Sequence, residues 1–447
     1  MAYRPVRAVE IWLWGNRVGA VAPDPASGFY AFEYDKTFPP LGIEVAPIHL
    51  PRSIDRVTTF PGLPPETFRR LPAFVADALP DDFGNALINA YMASNGVRAA
   101  DITPLDRLAY MGARAFGALE FKPARSTSRP NATAIRMSTL VDSARRAVAG
   151  EFSSDDLSRA ALMQIIQVGT SAGGARAKAA IAWNPTSGEL RAGQFDVPKG
   201  FEHWLLKFDG MGPDAVKSNS ALTDTTLGPG GHYGRIEYAY HLMASAANIQ
   251  MSECRLLEEN GRAHFMTRRF DRDGNNKLHT QSLCAMAHLD YRLKGVHSYE
   301  KLFDTMHALG LPSEDFSEAF RRIVFNFATA NCDDHTKNHA FRLKPGEQWR
   351  LAPAYDLTHS YSLSSEWVNQ HLMSVNGKFS GVTRDDCLTL ADRFGIAGAG
   401  ALIAGVLDAA NRWPEFARVA CVPEARARTV RKDFCEKLFQ RHGEMPR

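Results

Sequence analysis

The feature that most constrains this chain is the segment 331–338, with the sequence Asn-Cys-Asp-Asp-His-Thr-Lys-Asn. Apolar runs lie on both sides of it, at 323–328 and 339–343. The segment holds two carboxylates, a histidine, a lysine and two amides. Its apolar neighbours make a solvated surface difficult to accept as the explanation, and charged groups that are buried normally need a partner. The segment is therefore the first candidate for a site that carries chemistry.

The spacing of the acids favours phosphoryl transfer. Asp333 and Asn338 lie five positions apart, as do the Asp and Asn of the protein-kinase catalytic loop. In that loop the Asp accepts the substrate hydroxyl proton and the Asn holds a metal ion on the nucleotide phosphates. Asp356 follows Asn338 by eighteen residues, in the apolar, strand-like stretch 351–357, where a kinase keeps its second metal-holding carboxylate.

Two other interpretations of this segment stay open from the sequence alone. An Asp-Asp pair in a loop is commonly a turn or a helix cap. His335 and His339 have the i, i+4 spacing that brings two imidazoles together on one helix face, as in a zinc site. The intervening Lys337, and the lack of the glutamate of an H-E-x-x-H motif, argue against zinc.

Composition restricts the class of protein. The 447 residues predict two or three domains or one large two-lobed unit, and the hydrophobic fraction of 45% predicts a sizeable core. A net charge of +3 gives no global basic field that would argue for nucleic acid. The six cysteines form no C-x-x-C pair, which favours a reducing cytosol over a disulfide framework. With no apolar leader or membrane-spanning run, a soluble cytoplasmic protein is expected.

Hydrophobic periodicity predicts a β-rich beginning and a helical end. A hairpin is expected at 8–14 and 17–21, with a third strand at 28–34. Residues 123–132 are typical of a linker and give the first domain boundary. Helices are predicted at 63–79, after 80, at 106–117 and 136–162, and through most of 282–330 and 380–440.

A glycine-rich turn precedes a predicted strand within 168–183. Backbone N–H groups in such a turn can cradle phosphate oxygens, and Arg176 or Lys178 would add positive charge. The turn matches neither G-x-x-x-x-G-K-[ST] nor G-x-G-x-x-G, so an ordinary flexible hairpin turn stays open. Its candidate residues are Thr170, Ser171, Ala172, Gly173, Gly174 and Ala175.

Lys207 and Glu237 are candidates for a second phosphate-binding element. Lys207 lies in the short apolar strand 204–208, and Glu237 is predicted to head a helix thirty residues later. Kinases pair a strand lysine with the nucleotide phosphates and a helix glutamate. The alternatives are an edge-strand lysine in solvent and an acid favoured by a helix N-terminus. The composition of residues 218–234 predicts a mobile loop. The strand predicted at 263–272 ends in a turn, which either offers backbone hydrogen bonds to an adenine or belongs to an ordinary hairpin.

Taken in order, these motifs resemble those of the HipA family, the serine/threonine-kinase toxins of bacterial toxin–antitoxin systems. The resemblance includes Arg-Arg-Phe-Asp-Arg at 268–272, Asn-x-Asp-Asp-His-x-Lys-Asn at 331–338 and Leu-x-Pro-x-Tyr-Asp-Leu at 351–357. Segments 71–74, 79–80 and 112–119 resemble that family's N-terminal subdomain. The resemblance implies an α+β, two-lobed protein-kinase-like fold. It comprises an N-terminal subdomain (1–125), a β-rich nucleotide-binding N-lobe (126–270) and a helical C-lobe (271–447).

The resemblance also implies ATP and Mg²⁺ as cofactors and transfer of phosphate to a protein hydroxyl. Asp333 would be the catalytic base, Asn338 and Asp356 would hold metal, and Lys207 would pair with the phosphates. Ser171, or alternatively Thr170, matches the serine that such kinases phosphorylate on themselves, which switches them off. The remaining nucleotide-binding candidates are Ala172, Gly173, Gly174, Ala175, Lys178, Glu237, Arg268, Arg269, Phe270, His335 and Lys337.

The partners implied by the resemblance are a protein substrate and a helix-turn-helix antitoxin, with DNA reached only through the antitoxin and no membrane. Studied members of the family phosphorylate aminoacyl-tRNA synthetases. The pattern assigns no role to Asp334, for which a metal or a lysine is the expected partner. A regulatory pseudokinase and a small-molecule kinase stay open as alternatives. The complete set of Lys207, Asp333, Asn338 and Asp356 argues against a degenerate scaffold.

Overall fold

The computed structural model describes residues 3–38, 44–80, 82–124, 134–149, 177–209 and 232–439. The glycine-rich turn at 170–175, most of the linker and most of the loop 218–234 lie outside these ranges, so their predictions stay untested. The described residues combine helices with β-sheets, which agrees with the predicted mixed α and β content. Within the described ranges, no helix is long and apolar enough to cross a membrane.

A four-stranded antiparallel sheet occupies the N-terminal part of the chain. The predicted hairpin is confirmed, and its turn places Trp14 and Gly15 at positive φ (47° and 78°). Val9, Ile11 and Leu13 on the first strand are buried, while the residues between them are partly exposed, as period-two alternation requires. In spatial order β3-β2-β1-β4, the strands are β1 (Val9–Leu13), β2 (Asn16–Pro23), β3 (Tyr30–Tyr34) and β4 (Leu119–Lys122).

Four helices connect β3 to β4. The stretch 63–79, predicted as helical but interrupted by prolines, forms two four-residue helices: Pro64 and Pro72 each precede one of them, and Arg69 and Arg70 take positive φ (53° and 63°) between them. The helix predicted at 106–117 begins earlier, with Thr103 in a capping box, and ends at Gly112. The helices are α1 (Pro65–Phe68), α2 (Ala73–Ala76), α3 (Asp82–Ser94) and α4 (Pro104–Met111).

A six-stranded sheet follows and carries both candidate lysines. Lys178 and Lys207 lie opposite each other in the antiparallel pairing of two neighbouring strands, and Phe265 lies opposite Lys207 on its other side. Lys207 is therefore in an interior strand, so the edge-strand interpretation is wrong. In spatial order β5-β7-β6-β8-β10-β9, the strands are β5 (Ala134–Ile135), β6 (Lys178–Trp183), β7 (Leu190–Ala192), β8 (Glu202–Lys207), β9 (Cys254–Glu259) and β10 (Arg262–Arg268); helix α5 (Met137–Ala149) follows β5.

Helix α6 (Tyr233–Ala246) packs against this sheet, and a glycine allows its close approach. A Cβ at Gly234 would overlap the backbone oxygen of Ala263 in β10. Because the helix begins at Tyr233, Glu237 lies in its second turn and not at its head, which corrects the prediction. The favourable effect of a helix N-terminus on an acid therefore does not explain Glu237.

The rest of the chain is mainly helical, as predicted for 282–330 and 380–440. Helix α9 lies at its centre, with Phe320, Ile323, Val324 and Phe325 fully buried. Of the strand-like stretch 351–357, only its first residue is in a strand. The helices are α7 (Leu283–Met286), α8 (Tyr299–Ala308), α9 (Ser313–Ala328), α10 (Arg384–Arg393), α11 (Ala399–Asn411), α12 (Trp413–Val419), α13 (Glu424–Lys432) and α14 (Glu436–Phe439). The short strands are β11 (Arg272–Asp273), β12 (Asn276–Lys277), β13 (His279–Ser282), β14 (His297–Ser298), β15 (Ala340–Leu343), β16 (Arg350–Leu351) and β17 (Met373–Ser374).

Polar contacts join the N-terminal part to the following residues. The carboxylate of Asp77 accepts hydrogen bonds from the backbone N–H and the hydroxyl of Ser282, both at 2.7 Å. The indole of Trp14 donates to the backbone oxygen of Lys277 at 2.7 Å. Ser282 is the N-cap of helix α7, since its hydroxyl accepts the backbone N–H of Ala285. Asp77 thus holds the capping residue of α7, which fixes α2 beside the segment leading to the candidate site.

We expect Gly234→Ala to lower the free energy of unfolding by about 1–3 kcal/mol, because the added methyl group must push α6 away from β10. The matched control is Gly405→Ala, since Gly405 lies within α11 with no atom within 4 Å of an added Cβ. That variant should be neutral or more stable by up to about 1 kcal/mol. Urea unfolding measures both changes. Equal effects at the two positions would contradict the close packing of α6.

Candidate active site

The candidate catalytic loop follows directly from the central helix α9. The chain turns at Ala330 (φ 56°), and the amide of Asn331 donates to the side-chain oxygen of Asn326 at 2.9 Å. The segment then forms one 3₁₀ turn, Thr336–Asn338, in which His335 Nδ1 accepts the backbone N–H of Lys337 at 3.2 Å. A well-packed helix end therefore positions this loop.

The geometry does not support a zinc site at His335 and His339. His339 has extended backbone (φ −120°, ψ 129°), so the two imidazoles do not share a helix face. His339 is buried, and burial lowers its pKa to about 4. In the described ranges of the chain, no group of three or more histidines, cysteines or acids is arranged to hold a metal. The i, i+4 spacing was a coincidence of sequence.

Asp333 faces the cleft described below. Its side chain is 39% exposed, and its Oδ1 accepts a hydrogen bond from the indole of Trp367 at 2.7 Å. The amide nitrogen of Asn338 donates to the backbone oxygen of Asp333 at 2.6 Å. Because the nitrogen is used in this way, the oxygen is the atom of the Asn338 amide that would serve as a metal ligand.

Asp334 points in the opposite direction, into the core. Its carboxylate accepts from the hydroxyl of Tyr299 at 2.7 Å, from His371 Nδ1 at 2.9 Å and from the backbone N–H of Leu372 at 2.7 Å. The expected partner was a metal or a lysine, and neither prediction is correct. Three donors satisfy this buried carboxylate, so its role is to hold the loop in place.

Lys207 links two carboxylates that come from different parts of the chain. Its Nζ donates to Glu237 Oε1 on α6 and to Asp356 Oδ1. Burial lowers the pKa of Lys207, but the charges of Asp356 and Glu237 outweigh burial and leave the pKa above its ordinary value. For Asp356, burial raises the pKa, but the charges of Lys207 and Lys178 leave it lowered. Both shifts favour the charged forms of Lys207 and Asp356.

The backbone at Asp356 is strained. Its φ of 55° lies in the left-handed region, which costs a non-glycine residue about 1–3 kcal/mol. Neighbouring contacts hold it there: the hydroxyl of Tyr355 donates to the backbone oxygen of Lys337 at 2.6 Å, and Ala354 N–H donates to Gln250 O at 2.8 Å. Such strain is typical of functional positions, and here it aims the carboxylate at Lys207.

The three residues predicted to line the adenine end have different environments. The ring of Phe270 packs against Phe116 and Tyr355, with ring centroids 5.3 and 5.5 Å apart. Arg268 is half exposed and lies 3.6 Å from Glu202. The guanidinium of Arg269 is buried in a two-point ion pair with Asp271, at 2.6 and 2.9 Å. The side chain of Arg269 therefore braces the chain.

Several of these residues line one cleft of about 690 Å³, a volume within the range of small-molecule sites. Lys178, Lys207 and Glu237 adjoin it through Asp356. The helices α1, α3 and α4 also contribute to the wall, which the sequence did not predict. The predicted site residues that line the cleft are Arg268, Arg269, Phe270, Asp333, His335, Lys337, Asn338 and Asp356, and unpredicted ones include Arg69, Asn85, Arg107, Tyr291, Arg292 and Trp367.

Comparisons with known proteins identify the family of the chain. The model of the HipA-like C-terminal domain matches residues 170–441, and that of the HipA N-terminal domain matches residues 9–122. No curated protein sequence matches the chain. Among solved structures, HipA from Shewanella oneidensis MR-1, in a complex with HipB and operator DNA, is similar with a TM-score of 0.62 and 15% identity. The match covers 96% of each chain.

A second solved structure is less similar. The Helicobacter pylori proinflammatory kinase CtkA gives a TM-score of 0.33 and 12% identity, covering 53% of this chain and 88% of that one, which is too weak to carry an argument. The likeness to the Shewanella protein shows a shared fold. Since the two domain models together span most of the sequence, the chain belongs to the HipA family.

Proposed function

We propose that this protein is an ATP- and Mg²⁺-dependent serine/threonine protein kinase of the HipA toxin type, with two kinase-like lobes around the cleft. The observation that carries the proposal is the contact of Lys207 with both Glu237 and Asp356, beside a loop that presents Asp333 and Asn338 to the same cleft. A strand lysine paired with a helix glutamate, and a nearby metal-holding acid, are the parts that protein kinases use.

The residues present fit a magnesium ion. Asp356 offers a carboxylate and Asn338 an amide oxygen, and hard oxygen ligands are those that Mg²⁺ prefers. Mg²⁺ sites next to nucleotides take only one or two ligands from protein, with phosphates and water completing the shell. The ion would neutralise charge on the β- and γ-phosphates. Lys207 and Lys178 supply further positive charge beside Asp356.

The proposed reaction moves one phosphoryl group and one proton. Asp333 accepts the proton of the acceptor hydroxyl as its oxygen attacks the γ-phosphorus, and the bond to the β-phosphate oxygen breaks to leave ADP. Asp333 suits this role because its carboxylate is open to the cleft, whereas the carboxylate of Asp334 is fully engaged in the core. Lys207, held by Glu237, orients the phosphates for the transfer.

The acceptor is proposed to be a protein hydroxyl, in line with the family. By resemblance an aminoacyl-tRNA synthetase is the first candidate, which would place the activity in the cytoplasm. The Shewanella HipA was solved with HipB and operator DNA, so an antitoxin partner that contacts DNA is proposed here too. Ser171, or alternatively Thr170, is the proposed site of self-phosphorylation, where an added phosphate would repel those of the nucleotide.

We expect Asp333→Asn to lower transfer of γ-phosphate to lysate proteins by about 10²–10⁴-fold, the usual loss of a general base. ATP affinity and folding stability should stay near wild type, because this side chain is partly exposed. The assay uses labelled ATP and mass spectrometry to identify the acceptor. ATP binding without transfer by the wild type would indicate a regulatory protein instead.

The matched control for that variant is the adjacent Asp334→Asn. The new side-chain NH₂ group would face hydrogen-bond donors that now bind the Asp334 carboxylate. The free energy of unfolding should therefore fall by about 1–3 kcal/mol. Urea unfolding of the two variants separates a catalytic loss from a structural one. Near wild-type transfer by Asp333→Asn, or an unchanged stability of Asp334→Asn, would contradict the assigned roles.

We expect Asn338→Ala and Asp356→Asn to reduce the gain in ATP affinity that Mg²⁺ gives, with the ratio of the two dissociation constants falling toward one. Asparagine is chosen at 356 because it tolerates positive φ. Calorimetric titration with ATP, with and without Mg²⁺, measures the ratio. Asp304→Ala, an exposed acid on α8, is the control. A wild-type ratio in both site variants would refute the metal assignment.

Incubation of the wild type with Mg²⁺ and ATP should yield phosphate on Ser171 or Thr170, and pre-phosphorylated protein should bind ATP more weakly. Binding should weaken because the added phosphate carries a charge of about −1.5 to −2 and repels the nucleotide. Phosphosite mapping detects the modification, with Asp333→Asn as the unmodified control. An active enzyme that carries phosphate at neither residue would refute this regulation.

A further inference from the structure

The catalytic loop presents two adjacent acids, and one short segment contacts both. The indole N–H of Trp367 donates to Asp333 Oδ1 at 2.7 Å. Four and five residues later, the ring of His371 and the backbone N–H of Leu372 donate to Asp334. We name residues 365–372 the strap. No motif in the sequence pointed to Trp367, and the mechanism above does not use it.

The strap is fixed at its other end as well. The hydroxyl of Ser365 accepts the backbone N–H groups of Trp367 and Val368, both at 3.2 Å. Lys294, from the loop before α8, donates to the backbone oxygen of Glu366 and to the side-chain oxygen of Asn369. With anchors on both sides, the indole of Trp367 has a defined position when it meets Asp333.

The chemistry of the donor suits it to hold a base. An indole N–H donates but cannot accept, and it does not titrate, so it fixes a carboxylate without competing for the proton that the carboxylate must accept. The next polar group, His335 Nε2, lies 3.8 Å from Asp333 Oδ1, which is beyond a hydrogen bond. Trp367 occupies Oδ1, so Oδ2 is the atom that is left for an acceptor hydroxyl.

We propose that Trp367 is a positioning residue for the catalytic base: its indole holds the Asp333 carboxylate so that Oδ2 faces the acceptor hydroxyl. This inference rests on the proposed kinase activity. Trp367 and Asp333 both line the cleft. The contacts of Lys294 with the strap then act indirectly, because they hold Trp367 in position beside the catalytic loop.

The test compares Trp367→Phe with wild type in the lysate transfer assay. The variant keeps an aromatic ring but loses the N–H donor. The initial rate at saturating Mg²⁺-ATP should fall by about 10- to 100-fold, as for a reacting group displaced by about an ångström. The KM for ATP should not change, because Trp367 is placed beside the base and not beside the phosphate-binding lysine. Lys294→Met should also lower the rate, but by a smaller factor than Trp367→Phe.

Two controls separate positioning from folding. Trp14→Phe removes an indole hydrogen bond of equal length, to the backbone of Lys277, and should leave the rate unchanged. In the Asp333→Asn background, Trp367→Phe should cause no further loss of single-turnover rate, because residues that act through one group are not additive. A structural defect would lower the rate in both backgrounds.

The outcomes that overturn the inference are distinct. If wild type transfers phosphate and Trp367→Phe transfers it as fast or faster, Trp367 does not position the base, and the proposed kinase activity stands. If Trp367→Phe lowers the single-turnover rate further in the Asp333→Asn background, the inference is also refuted, because Trp367 would then act on the rate by a route other than Asp333. If wild type transfers no phosphate to any lysate protein, the proposed function and this inference fail together.

Discussion

The bridge from Lys207 to Glu237 and Asp356 is the interaction on which the rest of the site depends. It joins an interior strand, a helix and a loop that are far apart in sequence, so all three must pack correctly before the charges meet. A buried ammonium between two carboxylates is stable only when all three remain paired, since an unpaired buried charge is costly. The sheet, the close approach of α6 at Gly234 and the strained backbone of Asp356 all serve this contact.

Asp333 and Asp334, the two adjacent acids of the catalytic loop, have different tasks. Asp334 turns inward and receives three hydrogen bonds, which fixes the loop against α8 and the strap. With that anchor in place, Asp333 can stay partly exposed without losing its position. A rigid support beneath a reactive group is the general requirement for a preorganised site. The strap adds to this by contacting both acids at once.

The sequence predicted the parts of the site that local spacing determines. Asp333, Asn338 and Asp356 lie along one cleft, as their motif spacing predicted, and Lys207 meets Glu237 across thirty residues. Tertiary contacts decided the rest. The partners of Asp334 come from two distant segments, Trp367 lies in irregular structure without a motif, and the ion pair with Asp271 buries Arg269. The helical stretch predicted at 63–79 is divided by its prolines, as the sequence indicated, and also by two arginines at positive φ, which the sequence did not indicate.

The decisive measurement is a crystal structure of the protein with Mg²⁺ and a non-hydrolysable ATP analogue. We expect Lys207 to keep its contact with Glu237 and to contact a phosphate oxygen, while Asp356 leaves Lys207 and binds Mg²⁺ together with Asn338. We also expect Asp333, still hydrogen-bonded to Trp367, to face the γ-phosphate side of the cleft. A nucleotide bound elsewhere, or a Mg²⁺ ion held without Asp356, would refute the assignment of these residues.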